Sequence, residues 1–326
     1  MDLKTSYLGI ELKNPIVPSA SPLSLNISTI RALEDYGASA IVLYSMFEEQ
    51  IRFEKKNLHN FLTYNIEHPL EIFPQQGEYY RNTDEYLEHI TSTKKAVNIP
   101  VIASINGTNV GEWMNYAKEI EQAGADALEI NLYHIPTDPD IPSEEIEQLY
   151  LNIVKHIRSI ISIPIAVKLS PFFTSLANMA KKFYECGANG LVLFNRFYQP
   201  NIDIELQQVT SNISLSNSEE MRLPLRWIAI LHKTIELDLA ASSGIHTATD
   251  VIKLTMAGAN VTMMCSALLQ HGTKHIQEVL TNVQQWMVEH EYSSLSSLRG
   301  IMSYKTIKDP SVFERAHYLK ALNSYM

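Results

Sequence analysis

The chain has 326 residues, enough for one large α/β barrel or two ordinary domains. It is 45% hydrophobic and 19% charged with a formal net charge of −10, the make-up of a soluble globular protein, and no basic arm or stripe marks a nucleic-acid binder. Two cysteines in unrelated contexts, Cys186 and Cys265, exclude a disulfide framework and point to a reducing compartment. The start of the sequence carries no apolar leader, and no run is long enough to span a bilayer, so the cytoplasm is the expected location.

In chain order, Asn14 to Ser21 reads as a short apolar strand that ends in small residues, where a ligand or backbone can approach closely. Asn26 to Tyr36 is predicted helical, with Ile27, Ile30 and Leu33 on one face and Gly37 as terminator. A repeat then begins. Gly37-Ala38, Gly124-Ala125, Gly187-Ala188 and Gly258-Ala259 each end an amphipathic helix and launch an apolar strand. Two further strands follow Ile-Pro, at Val101 to Ile105 and Ile165 to Leu169, and another spans Leu237 to Ala241 after a helix from Leu223 to His232. With the strand at Ile16 there are eight strands alternating with helices, which means a parallel sheet covered on its outer face. Eight such units in sequence order predict a (β/α)8 TIM barrel, with a doubly wound open sheet as the alternative.

Long insertions interrupt the repeat after strands 2 and 6. Residues 45–82 hold Phe47, Phe53, Phe61, Tyr64, Phe73, Tyr79 and Tyr80, a composition suited to a folded lid or a dimer surface. Residues 195–221 contain two β-like pieces, Ile202 to Leu206 and Ser211 to Leu215. From Asp309 an extra C-terminal helix is expected to reach about Tyr325, capped by Asp309-Pro310-Ser311. None of these stretches has linker composition, so 1–326 is read as a single barrel domain.

Chemistry in a barrel gathers at the C-terminal ends of the strands. Those ends carry Ala20 and Ser21, Tyr44 and Ser45, Asn106, Asn131 with Tyr133 and His134, Lys168, Asn195 and Arg196, Ser243 and Gly244, and Cys265 and Ser266. Ser243-Gly244 and Cys265-Ser266 each precede a helix, so their N–H groups suit a phosphate. Lys168 lies within an apolar strand, where an ammonium is costly unless it meets a partner or a polar site.

These residues resemble the dihydroorotate dehydrogenase family of FMN-dependent (β/α)8 barrels over about residues 3 to 303. The likeness is carried by Leu8-Gly9-Ile10-Glu11-Leu12-Lys13-Asn14-Pro15, Glu129-Ile130-Asn131-Leu132, Val167-Lys168-Leu169, Ser243-Gly244-Ile245 with Asp250, Tyr292-Ser293-Ser294-Leu295 and Arg299-Gly300. The resemblance implies an FMN cofactor lined by Ala20, Ser21, Ser45, Asn106 and Asn131. It implies that Lys168 contacts the flavin ring, that Asn131 and Asn195 bind substrate, and that Ser243, Gly244, Cys265 and Ser266 hold the phosphate. The family prefers glycine at Ser243 and Cys265, and usually at Asn217.

The departures cluster at the reaction centre. Where the family's loop reads Asn-x-Ser-Cys-Pro-Asn, this chain has Asn131-Leu132-Tyr133-His134-Ile135-Pro136, which puts His134 at the base position. A histidine titrates near neutrality and serves as a general base. Tyr44 replaces the family's lysine after strand 2 and is a second proton-donor candidate; the Asn-x-x-Gly-x-x-Asn substrate loop is missing from 45–82. Arg196 is a candidate to pair with a substrate carboxylate, with a rim charge as the equal alternative. The leading expectation is an FMN oxidoreductase of the CH-CH type acting on a small anionic substrate, as a homodimer, with a soluble or protein electron acceptor and no metal. A non-catalytic flavin-binding relative, or a barrel lyase or isomerase on a phosphorylated substrate, is the alternative.

Overall fold

The structure is a computed structural model describing residues 1–52, 82–210 and 213–315, with 318, 322 and 323. A short hairpin, β1 (Thr5–Tyr7) and β2 (Ile10–Leu12), precedes the sheet. The eight apolar runs become parallel strands: β3 (Ile16–Pro18), β4 (Ile41–Phe47), β5 (Val101–Asn106), β6 (Ala127–Asn131), β7 (Ile165–Leu169), β8 (Gly190–Leu193), β11 (Asp238–Ser242) and β12 (Val261–Met264). Their order is β3-β12-β11-β8-β7-β6-β5-β4, as the sequence-order closure of a (β/α)8 barrel requires. At the seam between β3 and β4, the Ser39 N–H and hydroxyl both donate to the Ile16 carbonyl, at 3.0 and 2.9 Å. Asn14 reinforces it, donating from Nδ2 to the Gly37 carbonyl at 2.7 Å and accepting from the Ile16 N–H at 2.9 Å.

The helices pack outside. Between strands lie α1 (Ile27–Asp35), α2 (Thr83–Ala96), α3 (Tyr116–Gln122), α4 (Ser143–Ile160), α5 (Leu176–Glu185), α6 (Arg222–Leu231) and α7 (Ala248–Ala257), with α8 (Ser266–His271) and α9 (His275–Glu289) after β12. Alternation along each strand divides the core in two. Leu128, Ile130, Val167 and their neighbours pack against helices, whereas Val17, Val42, Ile102, Ala127, Ala166, Val192 and Ala240 fill the lumen. Tyr7, Leu8 and Leu12 of the hairpin close the lumen from below. Upward the lumen turns polar: Ala127 gives way to Glu129 and Asn131 on β6, Ala166 to Lys168 on β7, and Ile102 to Ser104 and Asn106 on β5.

The expected helix at Leu223 to His232 and strand at Leu237 to Ala241 match α6 and β11 to within a residue at each end. The excursion 195–221 holds an antiparallel hairpin, β9 (Asn201–Asp203) and β10 (Gln208–Thr210); of the expected piece 211–215, Ser211 and Asn212 lie outside the described residues and 213–215 is not a strand. A tight 203–208 turn with Gln207 at φ 51° sets this register. Most of the aromatic insertion, including Phe53, Phe61, Tyr64, Phe73, Tyr79 and Tyr80, lies outside the described residues. Of the expected C-terminal helix, Pro310–Phe313 forms a 3-10 turn with Asp309 accepting from the Ser311 N–H, and most of the remainder lies outside the described residues.

All four glycines of the Gly-Ala repeat take positive φ, between 92° and 126°. The tightest is Gly258 at φ 126°, where an added Cβ would sit 2.4 Å from the His232 ring. Gly258→Ala is expected to lower stability by about 2 kcal/mol or more, from backbone strain plus overpacking, read as a fall in the denaturation midpoint at unchanged slope.

Candidate active site

The polar upper lumen opens into a cavity of about 870 Å³ at the C-terminal ends of the strands. It is lined by Ala20 and Ser21 after β3, Asn106, Asn131 and Lys168 at the ends of β5 to β7, Asn195 and Arg196 after β8, Ser243 and Gly244 after β11, and Cys265 and Ser266 after β12. These residues, spread over almost 250 positions of sequence, are brought together as their strand-end placement predicts.

Lys168 forms the floor. It is buried, and its Nζ lies 3.5 Å from Oε1 of Glu129, a carboxylate fully sealed in the lumen. Beside it, Asn195 Nδ2 donates to Asn131 Oδ1 at 3.0 Å. That bond fixes both amides and leaves the Asn131 Nδ2 and the Asn195 Oδ1 to recognise a ligand.

One end of the cavity is lined by unengaged backbone N–H groups. Ser243 and Gly244 take φ 79° and 75°, and the N–H groups of Gly244, Ile245 and Ser266 donate to no protein acceptor among the described residues. A Cβ on Gly244 would fall 2.2 Å from the Met221 backbone nitrogen, so the backbone is packed too closely there for any side chain. Asn217, where glycine was expected, caps the 218–221 turn in a reciprocal capping box with Glu220. Asp250 locks that turn to the start of α7, accepting from the Ser218 hydroxyl at 2.8 Å and from the His246 and Thr247 N–H groups. Ser216 bridges the Ser266 hydroxyl and His246 Nε2, each at 3.1 Å. Burial lowers the proton affinity of His246, opposed by the Asp250 carboxylate and reinforced by His271 and His275.

Three expected residues are placed elsewhere. Tyr44 faces outward, its ring 5.1 Å from Tyr86 and 5.6 Å from His89 in the strand–helix layer. The cause is a break in the β4–β5 register between Val42 and Ser45, which turns Leu43 and Tyr44 to the same side. Ser45 faces the lumen, but its hydroxyl is engaged with Ser104 at 2.7 Å and it does not line the cavity. His134 is half-buried on the loop leaving β6; its neighbour Tyr133 lines the cavity and His134 does not. Arg196 lines the cavity, yet its guanidinium is committed to Glu220 at 2.8 Å and to the Ser214 carbonyl.

The remaining wall joins Tyr133, expected at this strand end, to loop residues that were not anticipated. The Tyr133 and Phe197 rings lie 4.2 Å apart, Phe172 sits 5.9 Å from Phe197, and the Tyr198 N–H donates to the Tyr133 hydroxyl at 3.0 Å. Ser214 to Ser216 complete it. The aromatic run Phe172-Phe173 and Phe197-Tyr198 was the available signal, but nothing local says that the two loops meet.

The family model described as "Dihydroorotate dehydrogenase" matches residues 2–287. This chain belongs to the dihydroorotate dehydrogenase family. Among its relatives, the "Dihydroorotate dehydrogenase B (NAD(+)), catalytic subunit" of Thermoplasma acidophilum is 26% identical over 312 residues, covering 92% of this chain and 98% of the relative. Proteins with the same description from Citrifermentans bemidjiense, at 24% over 92% of the chain and 98% of the relative, and Geobacillus kaustophilus, at 26% over 79% and 82%, are similar.

Burial pushes the Cys265 thiol up, while the Lys168 charge and a hydrogen bond with Ser21 pull it part of the way back. The sign is therefore toward the neutral thiol at pH 7. Alkylation of Cys265 is expected to be slow at pH 7 and to accelerate only above the ordinary thiol range of about 8.5, measured by peptide mapping of iodoacetamide-treated protein.

Proposed function

We propose that this protein is an FMN-dependent oxidoreductase of the dihydroorotate dehydrogenase type. The observation that carries the reading is the pairing, in one cavity, of a buried lysine floor with an end of unengaged backbone N–H groups. Family membership supports it further.

The donor set fits the cofactor. Gly244, Ile245 and Ser266 offer N–H groups, with the Ser266 hydroxyl beside them, for a phosphate dianion, while the Ser243 hydroxyl is engaged with the Phe194 carbonyl. Ser243 and Cys265 bond through their backbone, so losing the family's glycines leaves the cradle intact. Ala20, Ser21, Asn106 and Lys168 would hold the flavin ring, with Lys168 as the cation of that group. FMN, when bound, supplies the two-electron acceptor. Asn131 and Asn195 orient the substrate through the two amide groups they leave free, and the Tyr133–Phe197 wall excludes water from one side. His134 takes the substrate proton, from a loop whose next residue inward lines the cavity.

Dihydroorotate is the first substrate to test, although the engaged Arg196 offers its carboxylate no free guanidinium. The relatives' description as catalytic subunits favours electron transfer to a partner protein. A homodimer in the cytoplasm completes the proposal. A non-catalytic flavin carrier is the second reading, favoured by the placement of His134 outside the cavity lining.

The purified protein is expected to show a flavin absorption spectrum and to release FMN in stoichiometric amount on denaturation; a colourless protein that refuses added FMN sinks the reading. His134→Ala is expected to slow flavin reduction in stopped flow by about 100-fold or more while leaving the spectrum unchanged. Wild-type reduction rates in that variant would remove His134 from the chemistry, and flavin binding without substrate-dependent reduction in the wild type would favour the carrier.

A further inference from the structure

A cation inside a barrel needs a counter-charge, and the one present here is unusual in its bonding. On adjacent strands Asn131 stands opposite Lys168 and Glu129 opposite Ala166, so Glu129 lies one rung beneath the lysine on the lumen side. It has no exposed surface, and neither carboxylate oxygen has a hydrogen-bond partner among the described residues. Lys168 Nζ, at 3.5 Å, is the cation paired with it, at a distance too long for a strong charge-assisted hydrogen bond. A carboxylate kept for structure alone would be expected to hold backbone or hydroxyl donors, as Asp250 does. Glu129 acts mainly through its charge.

The surroundings agree. Below Glu129 the hydroxyl of Tyr7 is buried and has no hydrogen-bond partner among the described residues. Burial, then the charges of Glu129 and Asp238, keep that phenol protonated. Asp238 is engaged by the Leu8 N–H and by Asn260 Nδ2, both at 2.7 Å. Above, the charge of Lys168 is felt by Cys265 after β12. The groups facing the lysine are thus Glu129 from β6 and Cys265 from the β12 end, with Tyr7 and Asp238 a layer lower.

We propose that Glu129 is a positioning residue that holds the Lys168 side chain at the cavity floor and, by its own negative charge, sets how strongly that floor favours a reduced flavin. The inference rests on the FMN reading above. Removing the carboxylate leaves the floor more positive, which favours an electron-rich ring.

The test uses the full chain as wild type, Glu129→Gln and Glu129→Asp, with midpoint potentials taken from pH 6 to 9 by dye equilibration. For Glu129→Gln the ratio of reduced to oxidised flavin at a fixed potential near neutrality is expected to rise about tenfold, equivalent to about 30 mV for a two-electron couple. Glu129→Asp keeps the charge and should stay close to the wild type. A glutamine variant that binds FMN but tracks the wild-type potential across the whole range overturns the proposal, because a purely structural role would not move it.

If the protein refuses FMN, the oxidoreductase reading fails by itself; FMN bound at an unshifted potential in Glu129→Gln overturns the role of Glu129 alone.

Discussion

The lumen of an eight-stranded barrel must be filled, and the way this one is filled governs the rest of the molecule. Alanine and valine from the strands, together with Tyr7 and Leu8 from the N-terminal hairpin, pack its lower half. Above them sits a layer containing a carboxylate and an ammonium with almost no exposed surface. Desolvating two charges costs several kcal/mol each, and a 3.5 Å pair without further hydrogen bonds repays this poorly. A hydrophobic pair of similar volume would stabilise the barrel at least as well. The arrangement makes sense as function held at the expense of stability, with the apolar base and the helix layer supplying the difference.

The hairpin plug is therefore more than a lid on the bottom of the barrel. By excluding water below Glu129, it keeps the pair in a medium where one charge strongly affects the other. Asp238 and Asn260 anchor that plug through the Leu8 N–H and the Ser6 carbonyl. The polar network at the base and the charged layer at the middle thus belong to one vertical column inside the sheet.

Much of this was legible in the sequence because barrel geometry is local and periodic. The four Gly-Ala steps marked helix ends that all adopt positive φ, and strand ends located the cavity residues from Ala20 to Ser266. What escaped were departures from period two and contacts between distant loops. Tyr44 was assigned to the site by counting along β4, and a single register break reversed its direction. Arg196 was read as a free cation, since its partner Glu220 lies 24 residues away on a turn whose position only the folded chain sets. The meeting of Phe197 with Tyr133 across 64 residues had no local signature either.

The successes have a physical reason. Strand termini and their backbone N–H groups take positions that follow from sheet register and are indifferent to side-chain identity, so Ser243, Gly244, Cys265 and Ser266 reach one end of the cavity as expected. The facing wall is made in part by side chains on the loops after β6 and β8, Tyr133 and Phe197 among them, which the sheet does not constrain. Loop substitutions can therefore reshape that wall without disturbing the sheet register, whereas a change at Glu129 or Lys168 reaches the buried charged layer on which the whole cavity rests.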